Sequence, residues 1–127
     1  MKALLDTHAF LWALSGDTRM SARAREIFKG PSSLSLSIVS IWEMLIKVQL
    51  GELRLPRPAA SYIFGELAKN QIAALQLRLD HLIAYENLPL HHRDPFDRML
   101  IAQGIKEELP IITADRDFQN YSVVTIW

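Results

Sequence analysis

The 127-residue sequence contains no cysteine. This absence excludes disulfides, thiolate-held zinc, iron–sulfur clusters and cysteine nucleophiles, so any metal must be held by oxygen or imidazole ligands. No apolar run approaches the roughly 20 residues that cross a bilayer. The apolar start of the chain meets Asp6 too early for a signal peptide. We therefore expect a cytoplasmic protein without a membrane partner.

Neither sign of charge is in excess, because 14 Lys and Arg balance 14 Asp and Glu. A nucleic-acid-binding domain usually has a basic surplus. If the chain binds RNA, local basic residues and bound cations must supply the attraction. Half of the residues are hydrophobic and 22% are charged, which is typical of a folded globular protein. The length favours a single domain over residues 1–127.

Short apolar runs alternate with helical patterns along the chain. The runs predict strands at 2–5, 33–36, 72–77, 109–113 and 122–126. The helical patterns lie at 7–14, 22–28, 38–50, 59–70, 81–87 and 96–108. Asp80 is the predicted cap of the fifth helix and Asp94 that of the sixth. Strands separated by helices predict an α/β domain with a mostly parallel sheet of about five strands and helices on both faces.

Four acidic residues lie where the carboxyl ends of parallel strands are expected. Asp6 and Asp115 follow strands, whereas Glu43 and Asp97 lie in the first turns of helices. Ligands of such sheets bind at this edge. Two carboxylates about 5 Å apart repel by ~3 kcal/mol at an effective dielectric of ~20. Convergence of the four would therefore destabilise the fold or raise some of their pKa values unless a cation lay among them. Oxygen ligands favour Mg²⁺ or Mn²⁺, which can activate water for phosphodiester hydrolysis.

Each acid also has a purely structural interpretation. Asp6 can cap the first helix, and Asp115 can be a turn residue. Glu43 has the spacing of a capping box with Ser40, although the helical periodicity begins before Ser40 and disfavours the box. Asp97 can be an acid that the helix dipole favours in the first turn of a helix. Asp94 is itself interpreted as structural, because it precedes a proline at the first position of that helix.

The segments that carry these acids include Leu4–His8, Ser37–Glu43, His92–Gln103 and Ile112–Phe118. In these segments, and nearly from end to end, the sequence resembles the PIN-domain family and, within it, the VapC toxins of bacterial type II toxin–antitoxin modules. The resemblance implies an α/β/α sandwich and a Mg²⁺- or Mn²⁺-dependent endoribonuclease. It also implies homodimerisation and inhibition by a cognate antitoxin.

The resemblance also assigns roles to individual residues by position. Asp6, Glu43, Asp97 and Asp115 become the catalytic, metal-holding acids. Asp117 is either a further ligand or an acid that supports Asp115. Weaker candidates for phosphate contacts are Thr7, Thr113, Arg93, Arg98 and Arg116. For the threonines, capping and turn hydrogen bonds are an equal alternative, and for the arginines an exposed, solvated charge is the alternative.

The remaining histidines and tryptophans suggest no second site. His8, His81, His91 and His92 include no pair at the i,i+4 spacing of a helical zinc site, so a histidine metal site is not expected. Trp12 and Trp42 lie in apolar helices, which predicts that they pack in the core or at a dimer interface. Lys47 follows Glu43 by one helical turn and is either near the site or an ion-pair partner of Glu43.

Other functions fit the sequence less well. A haloacid-dehalogenase-like phosphatase needs Asp-x-Asp after the first strand, but Asp6 is followed by Thr7-His8. A receiver-like signalling domain needs a phosphoacceptor Asp after the central strand, where Arg78 and Leu79 stand instead. A catalytically silent PIN-like domain that binds RNA or a protein partner stays open, as does a different metal-dependent phosphoesterase. The presence of all four acids disfavours the silent domain.

Overall fold

A computed structural model describes residues 1–127. The strands are β1 Lys2–Leu5, β2 Ser33–Ser37, β3 Ala73–Leu75, β4 Ile111–Ile112 and β5 Thr125–Ile126. The helices are α1 Thr7–Ser15, α2 Ala22–Lys29, α3 Ile38–Gln49, α4 Ala59–Lys69, α5 Leu79–Glu86 and α6 Pro95–Lys106. The strands form one sheet in the order β3-β2-β1-β4-β5, in which every neighbouring pair is parallel. None of the helices has the length and apolar character needed to span a bilayer.

The sheet separates two hydrophobic clusters because successive side chains of a strand point to opposite faces. Leu5 of β1 belongs to the larger cluster, with Phe10 of α1 and Ile63 of α4. Leu4, its neighbour in β1, belongs to the other cluster, with Leu100 of α6. Helices therefore cover both faces of β1, in which Ala3, Leu4 and Leu5 are buried. This confirms the predicted three-layer α/β/α sandwich.

A buried hydrogen bond fixes the two helices that carry Glu43 and Asp97 relative to each other. Ser37 is the N-cap of α3, as the periodicity predicted, and its hydroxyl accepts the backbone N–H of Val39. The same hydroxyl donates to Gln103 Oε1 of α6 at 2.6 Å. Because both side chains are fully buried, the start of α3 is held against α6.

Several local predictions are wrong. The third, fourth and fifth strands are shorter than predicted, at three, two and two residues. The N-cap of α5 is Arg78 and not Asp80, so the helix begins two residues earlier than predicted. The backbone N–H of Arg78 donates to His81 Nδ1. A 3₁₀ helix at Arg116–Asn120 was not predicted. For Trp42, which is 59% exposed, the structure excludes the core of the chain, and the predicted alternative of a dimer interface stays a prediction.

Gly104 lies where α6 approaches β4 most closely. A Cβ atom at this position would lie 2.9 Å from Cδ1 of the fully buried Ile111 and 3.1 Å from Cγ2 of Val123. Gly104→Ala is therefore expected to lower the free energy of unfolding by about 1–3 kcal/mol, the usual cost of overpacking a core. Chemical denaturation measures the change.

Gly65 in α4 is the matched control, because a Cβ there meets nothing within 4 Å. Gly65→Ala is expected to be neutral or to stabilise the protein by up to about 1 kcal/mol through helix propensity. Equal effects of the two substitutions would contradict the close contact between α6 and β4.

Candidate active site

Asp6 lies directly after β1. It caps α1 and also faces the carboxyl edge of the sheet. Its Oδ1 accepts the backbone N–H of His8 at 2.8 Å, which is the capping bond. Its Oδ2 accepts the hydroxyl of Thr113, the residue after β4, at 2.5 Å. Burial raises the pKa of Asp6, and these two hydrogen bonds oppose the rise. The structural interpretation of Asp6 is therefore correct, but it accounts for only one of the two oxygens.

Glu43 is buried in the second turn of α3 and both of its oxygens have partners. Oε1 lies 2.9 Å from the hydroxyl of Thr7, which in turn lies 2.9 Å from the hydroxyl of Ser40. Since Thr7 has one hydrogen to donate, Thr7 donates to Glu43 and Ser40 donates to Thr7. Oε2 pairs with Lys47 Nζ at 3.1 Å, which confirms the i,i+4 partner. Glu43 completes no capping box, because the N-cap of α3 is Ser37.

Asp97 lies in the first turn of α6, behind its N-cap Asp94. The Asp94 carboxylate accepts the backbone N–H of Asp97 at 3.2 Å, so its structural role is confirmed. The pKa of Asp97 is raised to about 8, first by burial and then by the negative charges of four other acids. Those acids are Asp94, Asp6, Glu43 and Asp115. The charges of the other three predicted acids, Asp6, Glu43 and Asp115, therefore all act on Asp97.

Asp115 and Asp117 lie beyond β4, at the start of the 3₁₀ helix. Asp115 is its N-cap and accepts the backbone N–H of Asp117 at 2.9 Å. The backbone N–H of Asp115 donates to the Thr113 hydroxyl at 3.0 Å, and this hydroxyl donates to Asp6. Thr113 thus links two of the four acids. The side chain of Asp117 is exposed.

His92 was missed by the sequence interpretation. Its Nε2 lies 3.3 Å from Asp97 Oδ2 and 3.3 Å from Asp115 Oδ2. Ligand atoms of His92, Asp115 and Asp117 also lie within 4.8 Å of one another. The one available sequence signal was its position two residues before the cap of α6, which places it beside Asp97. Its contact with Asp115 depends on the path of a loop 23 residues away in sequence.

The three predicted phosphate-binding arginines differ in their environment. Arg93 and Arg116 are exposed, which fits both a phosphate contact and the alternative of a solvated charge. The prediction for Arg98 is wrong, because this residue is only 6% exposed. Its guanidinium donates to the carbonyl of Pro89 at 3.2 Å and stacks 4.8 Å above the ring of Tyr85. Arg98 therefore joins α6 to α5 and is not available to a phosphate.

A cavity of about 500 Å³ lies near Asp6 and Glu43, although none of the four acids lines it. Its lining includes His8 and Lys47, each of which contacts one of the acids, together with Trp12, Arg19 and Arg54. The guanidinium of Arg19 lies 4.7 Å from the ring centroid of Trp12. The lining also includes Glu52 and Asp17, and Asp17 pairs with Arg19 at 2.7 Å, so this cavity carries charges of both signs beside its aromatic side chains.

A parallel α/β/α sandwich with acids from four segments at one sheet edge is the arrangement of a PIN-type domain. The PIN-domain family model matches residues 3–124, and the chain belongs to this family. PIN domains are generally nucleases and typically depend on divalent metals. No curated protein matches the sequence.

Several solved structures have the same fold as this chain. VapBC2 from Rickettsia felis, bound to a DNA fragment from its promoter, gives a TM-score of 0.75 at 12% identity, covering 99% of this chain and 98% of that one. A toxin–antitoxin complex from Klebsiella pneumoniae gives a TM-score of 0.68 at 16% sequence identity, covering 98% of this chain and 96% of that one. FitAcB from Neisseria gonorrhoeae gives a TM-score of 0.64 at 15% sequence identity, covering 100% of this chain and 97% of that one. At these identities the likeness establishes the fold.

Proposed function

We propose that the protein is a Mg²⁺- or Mn²⁺-dependent endoribonuclease and the toxin of a type II toxin–antitoxin module. The observation that carries the proposal is the environment of Asp97, a half-buried carboxylate on which the charges of Asp6, Glu43 and Asp115 all act. Such a group is costly to ionise unless a cation neutralises its neighbours. A structural cap does not need this arrangement, because Asp94 already caps α6.

The donor set fits a hard divalent cation. Asp6, Glu43, Asp97 and Asp115 offer carboxylate oxygens, and the sequence has no thiolate. Asp117 is a further candidate ligand, since its carboxylate lies near that of Asp115. When bound, the metal supplies an activated water and stabilises the charge that develops on the leaving oxygen.

Other side chains of the chain hold these acids in place. The Thr113 hydroxyl fixes Asp6 and the backbone of Asp115, and the Thr7 hydroxyl fixes one oxygen of Glu43. Lys47 balances the charge of Glu43. In this proposal Thr7 and Thr113 are therefore positioning residues, and any phosphate contact they make is secondary.

RNA is the proposed substrate although the chain has no net charge. The exposed Arg54, Arg93 and Arg116 supply local positive charge for the phosphate backbone, whereas Arg19 is already paired with Asp17 at 2.7 Å. A single-stranded substrate also has unstacked bases for aromatic side chains such as Trp12.

The toxin role is supported by the solved structures of the same fold, one of which is a toxin–antitoxin complex from Klebsiella pneumoniae. We propose a cognate antitoxin as the protein partner. A homodimer is also proposed, because Leu79, Leu82 and Ile83 of α5 expose apolar side chains that a second copy can cover.

The direct test is incubation of the purified protein with labelled single-stranded RNA in Mn²⁺, Mg²⁺ or EDTA. Internal cleavage with either metal and none in EDTA supports the proposal. RNA binding without cleavage in all three conditions identifies the silent PIN-like domain. Cleavage of a small phosphoester but not of RNA identifies a different phosphoesterase.

Expression of the protein alone in a bacterium is expected to arrest growth, because an unrestrained endoribonuclease degrades cellular RNA. Asp97→Asn is the matched control and is expected to permit normal growth. Co-expression of a small protein encoded by an adjacent gene should relieve the arrest. Undisturbed growth with protein that cleaves RNA in vitro would reject the toxin role but would leave the proposed nuclease activity supported.

A further inference from the structure

The ring of His92 is held from two sides. The hydroxyl of Tyr121 accepts the backbone N–H groups of His91 and His92 at 3.0 and 2.8 Å, which anchors the segment that precedes α6. The backbone N–H of Asp94 donates to His92 Nδ1 at 3.1 Å. The edge of the His92 ring also faces Phe118, with ring centroids 6.2 Å apart. The orientation of the imidazole is therefore determined by groups outside the acidic cluster.

This arrangement determines which nitrogen carries the hydrogen. A peptide N–H can only donate, so Nδ1 must offer its lone pair to the Asp94 N–H. The hydrogen of the neutral ring then resides on Nε2. That nitrogen hydrogen-bonds to Asp115 Oδ2 and lies equally close to Asp97 Oδ2, at 3.3 Å from each. His92 thus directs a donor at the acids and has no free lone pair for a metal.

We infer that His92 is a positioning residue of the metal site, which holds the Asp115 carboxylate beside that of Asp97 so that both can bind one cation. The inference rests on the proposed function, because it gives that same site an additional part. Carboxylates that bind metals are commonly oriented by a hydrogen-bond donor that is not itself a ligand. His92 is not itself a ligand in this orientation, despite its place in the cluster.

Asp115 needs such a partner more than the other acids do. Its side chain is 36% exposed, whereas those of Asp6 and Glu43 are each 6% exposed. Its Oδ1 is directed to the 3₁₀ helix by the backbone N–H of Asp117. Oδ2 has His92 as its hydrogen-bond donor. Without this donor, repulsion from Asp97 favours rotation of the Asp115 carboxylate towards solvent.

Two substitutions separate the functions of the two ring nitrogens. In His92→Asn the short amide can accept the Asp94 N–H but does not reach the acids. In His92→Gln the longer amide can place an N–H donor near the former Nε2. His91→Ala is the control, because the neighbouring ring contacts Tyr121 and no acid. The measurement is the Kd for Mn²⁺, from the electron paramagnetic resonance signal of the free ion, with the melting temperature of each variant recorded without metal.

We expect His92→Asn to weaken Mn²⁺ binding by about 10- to 100-fold, the usual cost of removing an outer partner of a metal ligand. His92→Gln should recover most of that loss, and His91→Ala should bind like the wild type. The melting temperatures without metal should not follow this order. A general structural role for His92 predicts that they do, and such a result would overturn the inference.

Unchanged Mn²⁺ binding by His92→Asn would also overturn the inference. Tighter Mn²⁺ binding by this variant would overturn it too, because it would mean that His92 competes with the metal. Equal weakening by Asn and Gln would show that the donor is not what matters. If His92→Asn fails to fold, Tyr121→Phe is the second variant, since it removes the backbone anchor and keeps the ring; unchanged Mn²⁺ affinity there rejects the inference. A wild-type protein that binds no Mn²⁺ rejects the proposed function as well, which distinguishes the two failures.

Discussion

Asp97→Asn is expected to lower metal-dependent RNA cleavage by at least about 100-fold while leaving the protein folded. Asparagine keeps the shape of the side chain but offers the metal a neutral amide in place of a carboxylate. Without metal the same substitution should raise stability near pH 8, because it removes the charge that burial and four acidic neighbours make unfavourable. Loss of activity together with gain of stability is the signature of a functional acid.

Asp94→Asn is the matched control for this prediction. Asparagine caps helices about as well as aspartate, and Asp94 is assigned a structural role. Cleavage should therefore persist in this variant. The measurements are single-turnover cleavage of labelled RNA and thermal unfolding with EDTA. Normal cleavage by Asp97→Asn would remove Asp97 from the mechanism, and a loss of stability would show that its carboxylate is mainly structural.

The parts of the site that could be predicted are those that follow from chain position alone. Asp6 comes directly after a buried strand and Asp97 comes directly after a helix cap, so the parallel topology brings both to one sheet edge. The register of β1 with β4 then places Thr113 next to Asp6. These relations need only the periodicity of strands and helices and the rule that parallel strands end at the same edge.

The parts that could not be predicted depend on the direction in which individual side chains extend from their helices and loops. Arg98 adjoins Asp97 in sequence, but it leaves α6 towards Tyr85 of α5, where it is buried. His92 reaches Asp115 because the Tyr121 hydroxyl holds the backbone before α6. Such contacts join segments far apart in sequence, and no local pattern encodes them. The 3₁₀ helix that positions Asp117 is likewise set by one capping bond.

Mn²⁺ or Mg²⁺ is expected to raise the melting temperature substantially, because a ligand that binds only the folded state stabilises it. At a metal concentration of about 100 times Kd the gain is about 2.7 kcal/mol. For a domain of this size that gain corresponds to roughly 10 °C. Thermal unfolding with metal and with EDTA measures it. No shift at millimolar Mn²⁺ would count against the metal site.

The stability of the protein without metal should also depend on pH, and the pKa of Asp97 determines the direction of that dependence. In the folded protein without metal this pKa is about 8, above the ordinary value of 3.8. Between these values the folded state keeps a proton that the unfolded chain releases, so stability falls as the pH rises. The penalty is absent below pH 4 and complete above pH 8, and each pKa unit is worth at most about 1.4 kcal/mol. Burial raises the pKa of Asp6 in the same direction.

Metal binding should reverse this trend, since the cation favours the ionised carboxylates. The Mn²⁺-induced rise in melting temperature is therefore expected to be larger at pH 8 than at pH 5.5, because at the lower pH a proton must be displaced from Asp97. In Asp97→Asn the stability without metal should vary less between these two values, and the response to Mn²⁺ should be smaller. A wild-type protein whose stability without metal rises from pH 5.5 to pH 8 would show that the acids are not crowded together, and the metal site would lose its physical basis.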